Sequence, residues 1–136
     1  MSEGKKVLGV DFGERRIGLA IAINNLAETF SIIEVDNLDA AVEKIAKICQ
    51  QEKIREIVVG LPLDSEGRVG PAAKKAKAFG RNLGQEAGLE IIFWDETLTS
   101  EEALSKMVEA GRPQKKRRRL DDVVAALILQ EYLDSK

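Results

Sequence analysis

The sequence contains no histidine and a single cysteine, Cys49. The first absence excludes imidazole acid–base chemistry and histidine-ligated zinc. One thiol can build neither a zinc site nor an intramolecular disulfide. It is compatible with a reducing cytosol and reads as a small helix residue rather than a redox centre. Long apolar runs are also missing. No segment approaches the roughly 20 apolar residues of a membrane span, and the opening MSEGKK lacks a signal-peptide apolar stretch. A cytoplasmic protein with no membrane partner is therefore expected. Its chemistry must rest on carboxylates, lysines, hydroxyls or a bound cation.

What is present describes one soluble domain. The 136 residues are 44% hydrophobic and 32% charged, enough to bury a core without covalent staples. Neither a repeat nor a linker divides the chain, so a single domain over 1–136 is expected. The net charge of -2 does not advertise nucleic acid, but its distribution does. RPQKKRRR, residues 112 to 119, holds six basic side chains and no acid, within a flexible basic segment at 111–119. Lys74, Lys75, Lys77 and Arg81 form a second basic cluster on a predicted helix. A local basic patch binds a phosphate backbone whatever the total charge. It does not by itself distinguish RNA from DNA.

Apolar patterning predicts a strand over 5 to 11, a short FGER turn, a strand over 16 to 23 and a tight turn at Asn24-Asn25. A third antiparallel strand over 26 to 35 follows. Helical spacing over 40 to 50 aligns Ala41, Ile45 and Ile48, with Asp36 or Asn37 at its start. IREIVVGL, 54 to 61, reads as a central strand, and PLDSEGRVGP as a loop. A helix over 72 to 87, a strand over 89 to 96 and a helix over 100 to 109 are expected next. The final helix, 123 to 133, is unusually apolar at Leu127, Ile128 and Leu129, which suits packing on a sheet and leaves a dimer contact open. Phe93 and Trp94 alternate in a strand, so they read as core rather than base-stacking residues. The order describes one mixed α/β layer.

Three acids share a pattern. Asp11 ends the first strand, Glu96 ends the strand LEIIFWDE, and Asp122 opens the last helix. Carboxyl ends of parallel strands gather at one edge, where active sites form. Carboxylates meeting there repel unless a hard divalent cation joins them, and magnesium suits such an oxygen-rich site. A pair of such ions can orient water and stabilise a leaving oxygen in phosphodiester hydrolysis. Each acid also has a purely structural reading, as a turn former, an exposed strand end or a helix cap, with Asp64 and Asp95 as substitutes. Gly13 is expected to allow the turn after Asp11, and Gly9 and Gly18 close strand packing. A phosphate-binding glycine loop is the alternative, although GxxxxGK[ST] is absent and no helix directly follows DFG.

Four segments in order, GVDFGERRIGLAIA, VVGLPLDSEGRVG, DETLTSEEA and RRRLDDVVAALILQEYL, resemble the YqgF/RuvX family of Holliday-junction-resolvase-like proteins. That family is regarded as a group of candidate nucleases of the 5' end of precursor 16S rRNA. The resemblance implies a ribonuclease-H-like fold, an α/β mixed five-stranded sheet flanked by helices. It carries catalytic and metal-binding roles onto Asp11, Glu96 and Asp122. Asp122 is preferred to Asp121 because it stands three residues before Ala125-Ala126. In DETLTS, Thr97 replaces the arginine the family usually has.

The function expected is therefore a Mg2+- or Mn2+-dependent endonuclease acting on structured RNA, particularly precursor 16S rRNA. Arg16, Arg68, Lys115, Lys116, Arg117, Arg118 and Arg119 would guide the backbone. Branched DNA of the Holliday-junction type is the alternative substrate, and a noncatalytic ribosome-assembly RNA-binding module the alternative class. Monomer and homodimer both remain open. A similar DFG turn occurs in actin-like ATPases, but those resemble two linked copies of this architecture, and 136 residues are too few.

Overall fold

The computed structural model describes residues 5–63, 66–96 and 120–136 of the chain. Its elements are β1 (Lys6–Asp11), β2 (Arg16–Ile23), β3 (Leu26–Glu34), α1 (Leu38–Glu52), β4 (Glu56–Pro62), α2 (Pro71–Ala87), β5 (Ile91–Glu96) and α3 (Asp121–Asp134). The expected helix over 100–109 and the basic segment at 111–119 lie outside the described residues. The five strands form one sheet in the order β3-β2-β1-β4-β5. β1, β2 and β3 pair antiparallel, while β1, β4 and β5 run parallel. This is the mixed sheet anticipated from the sequence.

Local chemistry explains the joints. Asn24 and Asn25 take φ of 56° and 69°, the left-handed pair that a two-residue hairpin turn requires and that asparagine tolerates. Asn37 caps α1, its side chain accepting a hydrogen bond from the Ala40 amide at 3.1 Å. The buried stripe of α1 is Ala41, Val42, Ile45 and Cys49. Ile48, expected on that stripe, is partly buried beside it.

Strand alternation gives the sheet two unlike faces. Toward α1 and α2 it presents Leu8, Val10, Ile17, Leu19, Ile57 and Val59, packed with Ile45, Phe79 and Leu83. Toward α3 it presents mostly small residues, Ala20 and Ala22 beside Val7 and Val58. The glycines complete this second face. A Cβ on Gly9 would stand 2.8 Å from the Leu129 Cβ, and one on Gly18 only 1.9 Å from the Asp121 carbonyl oxygen. Both glycines were expected to serve strand packing. They serve instead to let α3 lie almost on the backbone of β1 and β2. Phe93 and Trp94 pack on opposite faces, both against core residues, as expected.

α3 is pinned along its length. Gln130 accepts from the Ala27 amide and donates to the Asn25 carbonyl, each at 2.9 Å. The Tyr132 hydroxyl donates to Glu56 Oε1 at 3.1 Å, and Lys5 Nζ donates to Glu56 Oε2 at 3.1 Å. Glu56 is thus a buried carboxylate with its hydrogen-bonding needs met. No helix among the described residues is long and apolar enough to cross a membrane.

Cys49 sits in the core at 3% exposure, and burial pushes its thiol up to about 11. The thiolate is the reactive species, so the native protein should be inert to a thiol-exchange reagent at pH 8. Denaturant should release one reactive equivalent. Rapid labelling of the folded protein would contradict the packing of α1.

Candidate functional site

Because β1, β4 and β5 are parallel, their carboxyl ends share one edge of the sheet. Asp11 is the last residue of β1 and pairs directly with Gly18 on β2. Cross-strand partners project to the same face, here the face that α3 covers. Where Gly18 has no side chain, α3 begins: the Asp121 carbonyl carbon lies 2.1 Å, and the Asp122 amide nitrogen 2.6 Å, from the position a Cβ would take. A single missing side chain therefore lets the first turn of α3, which carries Asp122, pack on the register partner of Asp11.

Neither aspartate of α3 is its N-cap. That position is Leu120, without a side-chain capping bond, and both acids occupy the first turn. There their negative charge complements the helix dipole. Asp122 Oδ1 accepts from the Val123 amide at 2.9 Å.

Glu96 closes β5, its backbone in register with Pro62 of β4. Its strand parity matches Ile92 and Trp94, which pack on the α3 side. The Glu96 side chain itself lies outside the described residues. Among the described residues no three potential ligands gather into a metal-holding group. Asp95 has the opposite parity and is exposed. Asp64 lies outside the described residues.

Beside the carboxylates opens a cleft of about 540 Å³, lined among others by Phe12, Arg15, Arg16, Pro62, Lys75 and Asp121. Arg16 Nε donates to Asp121 Oδ2 at 3.0 Å, tying the start of β2 to the start of α3. Phe12 stacks on Phe79, ring centres 4.7 Å apart, and so fixes the β1–β2 turn to α2. At that turn a Cβ on Gly13 would stand 2.5 Å from the Arg16 carbonyl oxygen, which is why glycine follows Phe12. Across the cleft Lys75 Nζ pairs with Glu14. That hydrogen bond and charge hold the Glu14 carboxyl below its usual range. A cavity of about 570 Å³ between α1 and α2 is lined by Glu43, Lys47, Cys49 and Glu86, at the other edge of the sheet.

The remaining expected contacts are placed unevenly. Arg16 joins the site through Asp121. Arg68 pairs with its neighbour Glu66 at 3.0 Å on an exposed loop and is not among the residues lining the cleft. Thr97, Lys115, Lys116, Arg117, Arg118 and Arg119 lie outside the described residues. Two pairs escaped the sequence reading, Arg16–Asp121 and Glu14–Lys75. Lys75 had a signal, as part of a basic cluster, but nothing local marks its partner.

Comparison with known proteins gives a consistent grouping. The family model described as "RuvX: Holliday junction resolvase" matches residues 5–135. A protein of Clostridium tetani, named as a candidate pre-16S rRNA nuclease, is 39% identical over 133 residues, covering 96% of each chain. One of Syntrophomonas wolfei with the same name is 36% identical over 132 residues, covering 95% of this chain and 94% of its own. Among solved structures, Thermus thermophilus RuvC bound to a Holliday junction superposes with a TM-score of 0.63 at 13% identity, covering 96% of this chain and 94% of that one. The fowlpox virus resolvase with junction DNA gives 0.59 at 14% identity, covering 96% and 97%. These two share the ribonuclease-H-like fold of the chain.

Proposed function

Because the chain belongs to the RuvX family, we propose that it is a divalent-metal-dependent endonuclease that hydrolyses phosphodiester bonds at the 5' end of precursor 16S rRNA. The observation that supports this reading most directly is the packing of the start of α3 on Gly18, the register partner of Asp11. An all-oxygen donor set at a strand edge fits a hard cation such as Mg2+ or Mn2+ and excludes a soft one. Asp11, Glu96 and Asp122 would hold it. When bound, the cation supplies positive charge against the phosphate oxygens and favours attack by water.

The protein's own groups do the positioning. Pairing in the sheet holds Asp11. The Arg16–Asp121 ion pair fixes the first turn of α3 and with it Asp122. Lys115, Lys116, Arg117, Arg118 and Arg119 would draw the nucleic-acid backbone toward this edge, and Arg68 would contact it from the β4–α2 loop. No histidine is required, because carboxylates, a cation and water suffice.

Branched DNA is the second reading, favoured by the description of the family itself as resolvases. A direct comparison decides between them. The purified protein is incubated with a 5'-extended precursor 16S rRNA fragment and with a four-way DNA junction, in Mg2+, Mn2+ or EDTA. The expected result is metal-dependent cutting of the RNA with the junction intact. Cutting of the junction with intact RNA would reverse the substrate. Two uncut substrates in both metals would overturn the nuclease reading and favour an RNA-binding module.

A further inference from the structure

The cleft next to the carboxylates carries a charge arrangement that the cutting reaction does not use. One wall is the β1–β2 turn, with Arg15 and Arg16, and the other is α2, with Lys75. Arg16 is committed to Asp121, but Arg15 is exposed. Lys75 is held by Glu14 alone among the described ion pairs. In that pair the side chains are 60% and 63% exposed. An ion pair so open to water is screened and contributes little to folding. It is easily exchanged for a stronger anion.

The cleft is also continuous with the proposed cutting site, since Asp121 and Pro62 line it. Asp121 is the neighbour of Asp122, and Pro62 is the register partner of Glu96. A strand lying across the carboxylates would thus carry an adjoining phosphate into the space between Arg15 and Lys75.

We propose that Lys75 and Arg15 form a subsite for a backbone phosphate of the nucleic-acid strand beyond the scissile bond, and that Glu14 fills this subsite as an internal anion until the strand displaces it. The inference rests on the nuclease reading and adds to it the path of the substrate and a gate on that path. Glu14 acts against binding and Lys75 for it, so removing the two partners of one ion pair must have opposite effects. A pair with a merely structural role would give small effects of one sign on stability and none on binding.

The test measures affinity in EDTA, so that nothing is cut, using a labelled 5'-extended RNA hairpin and a DNA hairpin of the same sequence. Lys75→Ala is expected to raise Kd about three- to tenfold and to lower the slope of log Kd against log salt by about one. Glu14→Gln is expected to lower Kd by a similar factor, and the double variant to behave like Lys75→Ala. The same shifts are expected on RNA and DNA, because the contact is to phosphate. Thermal melting of each variant checks that the fold persists. Unchanged affinity in both single variants, or weaker binding by Glu14→Gln, would overturn the subsite while leaving the nuclease reading standing. Failure of the unsubstituted protein to bind either hairpin would overturn both.

Discussion

Asp11→Asn is expected to lower the rate of metal-dependent cleavage by about 10²–10³-fold, the scale on which removal of one preorganised electrostatic group acts. Asparagine keeps the size and shape of the side chain, so the pairing of Asp11 with Gly18 survives. What is lost is one of the three negative charges proposed to hold the cation. A stability measurement separates this from unfolding. If the carboxylates hold Mg2+, the ion should raise the melting temperature of the parent protein through its binding to the native state alone, and Asp11→Asn should abolish most of that rise. A melting curve of the variant without metal checks that it still folds. Full cleavage by the folded variant would sink the assignment of Asp11.

The second large effect is on the helix that brings Asp122 in. Gly18→Ala places a methyl group 1.9 Å from the Asp121 carbonyl oxygen and 2.1 Å from its carbon. Both are backbone atoms of the first turn of α3, so no side-chain rotation relieves the clash. The helix end must lift. Overpacking of this kind costs about 1–3 kcal/mol or more, and the upper end is expected here, with a fall of about 10 °C in melting temperature. Activity should fall further than stability explains, because a displacement of about 1 Å at a reacting group costs about a hundredfold in rate. Gly70→Ala is the control. Its Cβ would meet nothing within 4 Å, so it should shift stability by no more than about 1 kcal/mol. A melting curve and a rate for each variant suffice to compare them.

Most of this fold could be read from one-dimensional patterns because its local rules agree with its global arrangement. Alternation marked the strands, Asn24-Asn25 marked the hairpin, and the Asp36-Asn37 pair marked the start of α1. The unread parts depend on contacts with no local signature. Gly18 looked like a strand-packing glycine because a sequence does not reveal which element approaches a bare backbone. Arg16 looked like a free phosphate contact, yet its partner Asp121 stands 105 residues away. Glu56 carried no signal in the sequence. Its burial depends on Tyr132, 76 residues later. The acids Asp11 and Asp122 were legible through resemblance to a family, whereas the close approach of α3 to the register partner of Asp11 is steric and belongs to Gly18.

The docking of α3 has a kinetic consequence. Its anchors, Arg16–Asp121 and Glu56–Tyr132, close loops of 105 and 76 residues, while the β2–β3 hairpin and α1 are built from neighbours in the chain. Contacts of long sequence separation are the slow ones to form. A folding chain in which the sheet has already packed on α1 and α2 possesses most of its large-residue core but has Asp11 without Asp122. If Asp122 serves as proposed, competence to cut nucleic acid arrives with the docking of α3, and the appearance of activity on refolding would serve as a clock for that event.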